Sequence, residues 1–370
     1  MDRDALDLPH TRDEIEAGIE CGLHVGAQLA VSVAGRGHAT LALGEHAPGQ
    51  PLDDDTLMIW LSATKPVTAV AVALLWQRGA LGLDDPIARH VPEFAAHGKD
   101  GITIRHALTH TGGFRLLKTG WPDQSWDEII ATISAARAEP RWRPGAKAGY
   151  HLASSWFMLG EVVRRVDGRH PSVFVRDEIF LPLGMDDCYI GMPADRYRDY
   201  GARIGRMMNT EVEPSRLHPW HEENQVVGCS PGGNGRGPVR QLLRFYEMLL
   251  GGGERDGVRV LSPQTVEALA ARHRVGMRDQ TFKVKMDWGL GVIVNGAHYD
   301  AEHMPYGYGS LASRRTFGHS GYRSSTAFAD PEHGLAVALV FAGTPSEAAH
   351  TPRQERVVDA IYRDLGLEPS

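Results

Sequence analysis

Lysine is scarce in this chain: only Lys65, Lys99, Lys118, Lys147, Lys283 and Lys285 stand among 39 Lys and Arg residues. A lysine inside an apolar segment therefore stands out. Cysteine is scarcer still. Cys21, Cys188 and Cys229 are an odd count at wide spacings, which excludes a disulfide framework and a Cys-pair zinc site. No apolar run is long enough to span a bilayer, and the polar, acidic stretch from Met1 to Gly18 has no hydrophobic signal core. A soluble, cytoplasmic protein without a membrane partner is expected. Basic tracts, low-complexity blocks and internal repeats are absent, and the net charge is −7, so no nucleic-acid partner is expected.

What remains is enough for a large core. The chain has 370 residues, 42% of them hydrophobic and 23% charged, which suits one or two domains. Residues 11–22 read as an amphipathic helix with Thr11 as its N-cap. Ala27 to Leu43 alternates apolar residues around Gly35-Arg36-Gly37, a hairpin signal. The middle of the chain reads as helix and loop, with helical periodicity at 126–138, 154–166 and 172–180, and again at 238–250 and 263–272. Strands are expected at 288–294, 314–319, 324–330 and 335–342, then a last helix over 352–365. Strands near both termini around a helical middle predict one α/β layer built from both ends of the chain. The expected division is 1–61 plus 236–370 as a discontinuous α/β domain and 62–235 as a mainly helical one, with the active site between them.

Ser62-Ala63-Thr64-Lys65 opens an apolar helical run, Pro66 to Trp76, which Gly79 ends. Pro66 is tolerable there only because it falls in the first turn. Residues three apart share one helix face, so an amine comes within reach of a hydroxyl. A neutral serine needs a neighbouring base, and a desolvated lysine with a lowered pKa can serve. This S-x-x-K pattern is the nucleophile signature of penicillin-binding proteins and serine β-lactamases. Serine and lysine meet at this spacing by chance as well, so context must carry the reading. The helix is apolar nearly all round, and Ser62 sits at a strand-to-helix junction where backbone N–H groups are free for an oxyanion.

Two further elements follow. Tyr150 stands after a Pro-Gly turn and before a helix, in Arg143-Pro144-Gly145-Ala146-Lys147-Ala148-Gly149-Tyr150-His151. Phe317-Gly318-His319-Ser320-Gly321-Tyr322 reads as an edge strand whose small residues let a ligand approach the backbone. In order and spacing, the three elements resemble the serine β-lactamase and penicillin-binding-protein superfamily, nearest its class C-like branch with the family VIII carboxylesterases and transesterases. The likeness spans about residues 20–365. Leu81-Gly82-Leu83-Asp84-Asp85-Pro86-Ile87, Ile102 through Phe114, and Gly257-Val258-Arg259-Val260-Leu261-Ser262-Pro263 resemble further stretches of that superfamily in the same order.

The resemblance implies a β-lactamase/transpeptidase-like fold: an antiparallel sheet flanked by helices, with a large helical insertion. It implies Ser62 as acylated nucleophile, Lys65 as its base and Tyr150 as proton shuttle. The backbone N–H groups of Ser62 and Tyr322 would form the oxyanion hole. His319, Ser320, Gly321, His151 and Trp220 would contact substrate. No cofactor or metal is implied. The chain departs from the pattern in two places. Tyr150-His151-Leu152 lacks the asparagine of Tyr-x-Asn, and His319 replaces the lysine of Lys-Thr-Gly. A half-protonated imidazole is a weaker, pH-dependent partner for a carboxylate. Ester cleavage is therefore favoured, with acyl transfer to an amine or alcohol as the alternative; β-lactamase or D-amino-acid peptidase activity is disfavoured. The expected partners are a small ester or amide and an amine or alcohol acceptor.

Three other readings compete. Gly228-Cys229-Ser230-Pro231-Gly232 matches the G-x-S-x-G elbow, but Pro231 has no N–H for that elbow's oxyanion hole, so a loop flanking the cleft is expected. His106 and His110 are four apart but without the glutamate of a zincin, and His218-Pro219-Trp220-His221-Glu222 could hold a cation on a loop; both read better as structural among 18 histidines. A catalytically silent binding protein of the same fold is disfavoured by intact Ser62, Lys65 and Tyr150. Among the tryptophans, Trp121 and Trp220 lie on Pro-rich loops suited to a pocket, whereas Trp126 and Trp156 fit helical core positions.

Overall fold

The computed structural model describes residues 6–34, 37–299 and 304–367. Gly35 and Arg36, the expected hairpin tip, lie outside them. Three strands near the start, β1 (Gly26–Val33), β2 (Gly37–Ala47) and β3 (Gln50–Pro51), join five near the end. These are β4 (Asp287–Trp288), β5 (Ile293–Val294), β6 (Phe317–Gly321), β7 (Ser325–Asp330) and β8 (Leu335–Phe341). Together they form an antiparallel eight-stranded sheet in the order β4-β5-β6-β7-β8-β1-β2-β3. The seam between the two ends of the chain is β1 on β8, in register from Ala27 opposite Phe341 to Val33 opposite Leu335.

β8 is buried along its whole length because both faces of the sheet are covered. Strand alternation sorts its residues by size. Leu335, Val337, Leu339 and Phe341 pack with Val357, Val358, Ile361 and Tyr362 of the last helix. Ala336, Ala338 and Val340 point the other way, with Ala30, Ala327 and Ala329. These small residues let the helix Val239–Leu250 lie close on that face. The segment expected as one strand over 288–294 is two, β4 and β5, because Gly291 at φ 79° turns the chain between them.

Helices α1 (Pro9–Glu20), α2 (Lys65–Gln77), α3 (Trp126–Ala135) and α4 (Ser154–Asp167) stand where periodicity placed helices. Thr11 is not the N-cap of α1. The helix begins two residues earlier, and Asp364 from the last helix accepts the N–H groups of His10 and Thr11 at 3.1 and 2.8 Å. A tertiary carboxylate thus satisfies the orphan donors that a local cap would take. That last helix runs Glu347–Asp364, with Pro352 inside it, rather than starting at 352. α2 is buried on all sides from Lys65 to Leu75, as an apolar helix without a polar face must be. No helix among the described residues is long and apolar enough to cross a membrane.

Candidate active site

Ser62 lies in a tight 3-10 turn, Leu61–Thr64, that runs straight into α2. The residue before it, Leu61, has φ 50°, a left-handed conformation that a branched side chain resists. Three interactions hold the turn. The Trp60 carbonyl accepts from the Ser325 hydroxyl at 2.7 Å, and the Trp60 N–H donates to Gly235 O at 2.8 Å. The Thr64 hydroxyl donates back to Leu61 O at 2.6 Å. The serine is thereby fixed between β7 and a short three-stranded sheet of Met58–Ile59, Gly235–Gly237 and Tyr189–Ile190.

The Lys65 amine lies 2.9 Å from Ser62 Oγ and donates to Gly232 O at 2.7 Å. It is fully buried, and burial alone holds its pKa well below the ordinary lysine value. The Tyr150 hydroxyl donates to Ser62 Oγ at 2.8 Å from the opposite side. Burial pushes the Tyr150 pKa well above that of a free phenol, so the resting group is the neutral phenol. One serine oxygen therefore sits between an amine whose charged form burial disfavours and a neutral phenol. Such a pair can remove a proton from the serine and supply one to a leaving group.

Tyr150 is placed by residues that carry no motif. Its N–H donates to Asp279 Oδ1 at 3.1 Å, and its carbonyl accepts from the Thr281 hydroxyl at 3.1 Å. Asp279 is in turn paired with Arg274 at 2.8 Å, with both side chains buried. Arg274 donates to Thr109 O, tying the end of the helix Ile104–Leu108 to the segment ahead of β4.

The other sequence-predicted residues divide. His319 on β6 lies inside the site, its ring 6.0 Å from that of Tyr150. It is not half-protonated: burial holds it well below the usual histidine range. Nδ1 donates to Ser320 O at 2.6 Å, and Nε2 has no partner among the described residues. The Ser320 hydroxyl points to the other face of the sheet, toward Thr326 Oγ1 at 3.0 Å and Gln354 of the last helix. It therefore offers the site backbone only, as strand alternation dictates after an inward His319. Gly321 packs against Trp60 and Leu61; a Cβ there would lie 2.5 Å from Trp60 O. This closeness brings the end of β6 up to the Ser62 turn.

His151 does not present itself to a ligand. Its Nε2 accepts from Phe114 N–H at 3.2 Å, and Nδ1 donates to Gly149 O at 2.7 Å. Burial lowers its pKa to about 3. Both nitrogens are spent on backbone groups, Gly149 O of the Tyr150 loop and the Phe114 N–H of a distant segment. Trp220 stacks on His218 at 3.9 Å, and its carbonyl accepts from Arg236. The loop Gly228–Gly232 flanks the site: Gly232 O meets Lys65, and Pro231 O accepts from Thr68. His106 and His110 are not a ligand pair, since His106 caps a helix through Thr103 N–H and His110 accepts from His151 N–H.

Sequence reading missed Trp288 and Tyr306. Trp288 packs its ring 4.3 Å from His110 and 5.6 Å from His319. Tyr306 lies 6.1 Å from Tyr150 and 5.5 Å from His319, ring to ring. Neither stands in a recognisable pattern; a run of aromatics ahead of the Phe317 strand is the only signal.

The chain is similar to the Esterase/beta-lactamase LipL of Mycobacterium tuberculosis, 28% identical over 85% of this chain and 76% of that one. It is similar to Esterase EstB of Burkholderia gladioli, 29% identical over 86% of each. A crystal structure of a family VIII carboxylesterase superposes with a TM-score of 0.79 at 26% identity, covering 96% of this chain and 97% of the other. The Beta-lactamase family profile matches residues 12–361, a span that begins in α1, ends in the last helix and encloses Ser62, Lys65 and Tyr150: the chain belongs to the Beta-lactamase family.

Proposed function

We propose that this protein is a serine hydrolase that cleaves uncharged carboxylic esters through an acyl-enzyme. One observation carries the reading: Ser62 Oγ held at 2.9 Å from the buried Lys65 amine and 2.8 Å from the Tyr150 phenol. Ser62 attacks the ester carbonyl while Lys65 takes its proton. The oxyanion is received by the N–H groups of Ser62 and Tyr322, the second of which makes no hydrogen bond among the described residues. Tyr150 gives its proton to the departing alkoxide as the C–O bond breaks, and regains one from the Lys65 ammonium. Water then attacks the acyl carbonyl, losing its proton to the same pair, and Ser62 leaves as the free hydroxyl.

An ester is favoured over a penicillin because no free cation among the described residues stands beside Ser62 to take a carboxylate. Burial holds His319 well below the usual histidine range, and the Lys65 amine is already engaged with Ser62 Oγ and Gly232 O. The esterase names of LipL and EstB support the same substrate class. An amine or alcohol in place of water would make the same acyl-enzyme a transferase. We place the protein in the cytoplasm, in keeping with three free cysteines. The test is covalent capture. A fluorophosphonate should label Ser62 and stop hydrolysis of p-nitrophenyl butyrate, and nitrocefin should turn over far more slowly. Labelling elsewhere, or rapid nitrocefin hydrolysis, would overturn the assignment.

A further inference from the structure

We infer that the face around the Tyr150 loop is a docking surface for anionic lipid aggregates: two exposed leucines enter the lipid, and cations without ion-pair partners meet its headgroups. Three runs of chain build it. Residues 113–119, 140–149 and 275–286 carry eight lysines and arginines and a single carboxylate, Asp279, in a chain whose net charge is −7. Lys65 and Lys99 are buried. The four other lysines, Lys118, Lys147, Lys283 and Lys285, all fall in these runs and are exposed.

The fold joins the three runs at Tyr150. Arg115 donates to the Thr281 hydroxyl at 3.1 Å, and that hydroxyl donates to Tyr150 O. Ala148, next to Lys147, pairs with Asp279, and its carbonyl accepts from Gln280 N–H at 2.9 Å. Phe282, next to Lys283, sets its ring 5.0 Å from that of Tyr150. Elsewhere on the surface Arg89, Arg196 and Arg356 lie against carboxylates. On this face the neighbouring carboxylates are already taken, Glu139 by Arg115 and Asp279 by Arg274. The four lysines, with Arg141, Arg143 and Arg278, have no ion-pair partner among the described residues. Leu116 and Leu152 are the two most exposed large hydrophobic side chains described, at 72 and 67%. Their segments are joined to each other: Phe114 N–H donates to His151 Nε2, and Phe114 O accepts from the Ser154 hydroxyl at 2.7 Å.

Projecting leucines among lysines and arginines suit a surface that rests in a lipid interface. Each cation brought against an anionic lipid surface strengthens binding about fivefold. Lysine is depleted from protein–protein interfaces, which disfavours an acidic protein as the occupant. No described helix crosses a bilayer, so the contact lies on the surface. The net charge argued against such a partner; the fold overrides it by gathering cations on one face. That face adjoins the loop carrying Tyr150, so an ester drawn from the lipid would leave it beside the cleft.

The experiment is co-sedimentation of the full chain with vesicles, read without turnover, so its outcome is separate from that of the ester-cleaving reading. Wild type should bind phosphatidylcholine vesicles containing about 30% phosphatidylglycerol, should ignore pure phosphatidylcholine, and should be released by salt. The triple variant Lys118→Glu, Lys147→Glu, Lys283→Glu should bind at least about tenfold more weakly. Leu116→Ser with Leu152→Ser should also weaken binding. Arg216→Glu, Arg314→Glu and Arg315→Glu together change the net charge equally on other segments and should leave binding in place. Hydrolysis of dissolved p-nitrophenyl butyrate by the lysine variant should match wild type, which shows that it folds; the salt dependence of wild type needs no variant at all. Failure of wild type to bind, equal binding to both vesicles, or equal loss in the control variant overturns the inference. Binding that ignores the leucine changes and is matched by immobilised poly-L-glutamate would indicate an acidic polypeptide and overturns it too.

Discussion

The Asp279 carboxylate accepts the backbone N–H of Tyr150 at 3.1 Å, although the two residues lie 129 positions apart. The same carboxylate neutralises buried Arg274 at 2.8 Å. Asp279→Ala leaves a buried guanidinium without its partner, which should cost about 3–5 kcal/mol of stability. It should also lower kcat by releasing the Tyr150 loop. Thermal melting with steady-state kinetics checks both; a variant as stable as the wild type would remove Asp279 from this role. Asp279→Asn keeps an acceptor for the Tyr150 N–H and should retain more activity than the alanine.

Ser62→Ala should remove turnover by a factor on the order of a thousand or more while leaving the fold intact, and Lys65→Ala should cost nearly as much, because such residues act as a unit. The double variant should be little worse than either single one. Kinetics and circular dichroism give the answer, and multiplicative losses would show that the two act independently.

The pH dependence follows from Lys65. Its working form is the neutral amine, and burial holds its pKa well below the ordinary lysine value. Activity should therefore be present above that lowered pKa and fall as pH drops through it. Tyr150, whose pKa is raised, stays protonated over the same range. A kcat/KM profile that keeps rising until pH 10 or so would place an ordinary lysine at this position.

His319 should contribute no limb to that profile. It is already neutral across the working range, since burial holds its pKa well below 6.5. His319→Gln should leave the shape of the profile unchanged whatever it does to its height. An acid limb near the ordinary histidine value that vanishes in this variant would contradict a neutral His319.

Gly321→Ala tests the close approach of β6 to the Ser62 turn. The new Cβ would stand 2.5 Å from Trp60 O and 2.9 Å from Leu61 Cβ, and the backbone atom can yield only by moving the turn. We expect about 1–3 kcal/mol of destabilisation from overpacking. Activity should fall disproportionately, because near-attack geometry tolerates little displacement. Unaltered kinetics would separate the strand from the placement of Ser62.

Much of this was written into local sequence. Ser62 and Lys65 are three residues apart at the start of one helix, so helix geometry alone brings them together. The alternating apolar residues of β1 and the buried runs of β7 and β8 announce strands, and the apolar α2 announces a buried helix. The chemistry of the pair was legible for the same reason: a lysine among apolar neighbours loses its charge.

Only the tertiary structure decided the rest, because the deciding distances cross the chain. Thr11 looked like a cap until Asp364 was brought to the helix end. His151 looked available until both ring nitrogens met backbone groups. The inward turn of His319 sends the Ser320 hydroxyl to the opposite face. Asp279, Trp288 and Tyr306 are invisible in any local pattern, yet they anchor Tyr150 or line the space around it. Periodicity reports which face of an element is apolar; it carries no record of which distant polar group will satisfy a buried donor, and burial sets the protonation of Lys65, Tyr150 and His319 only once the whole chain has closed around them.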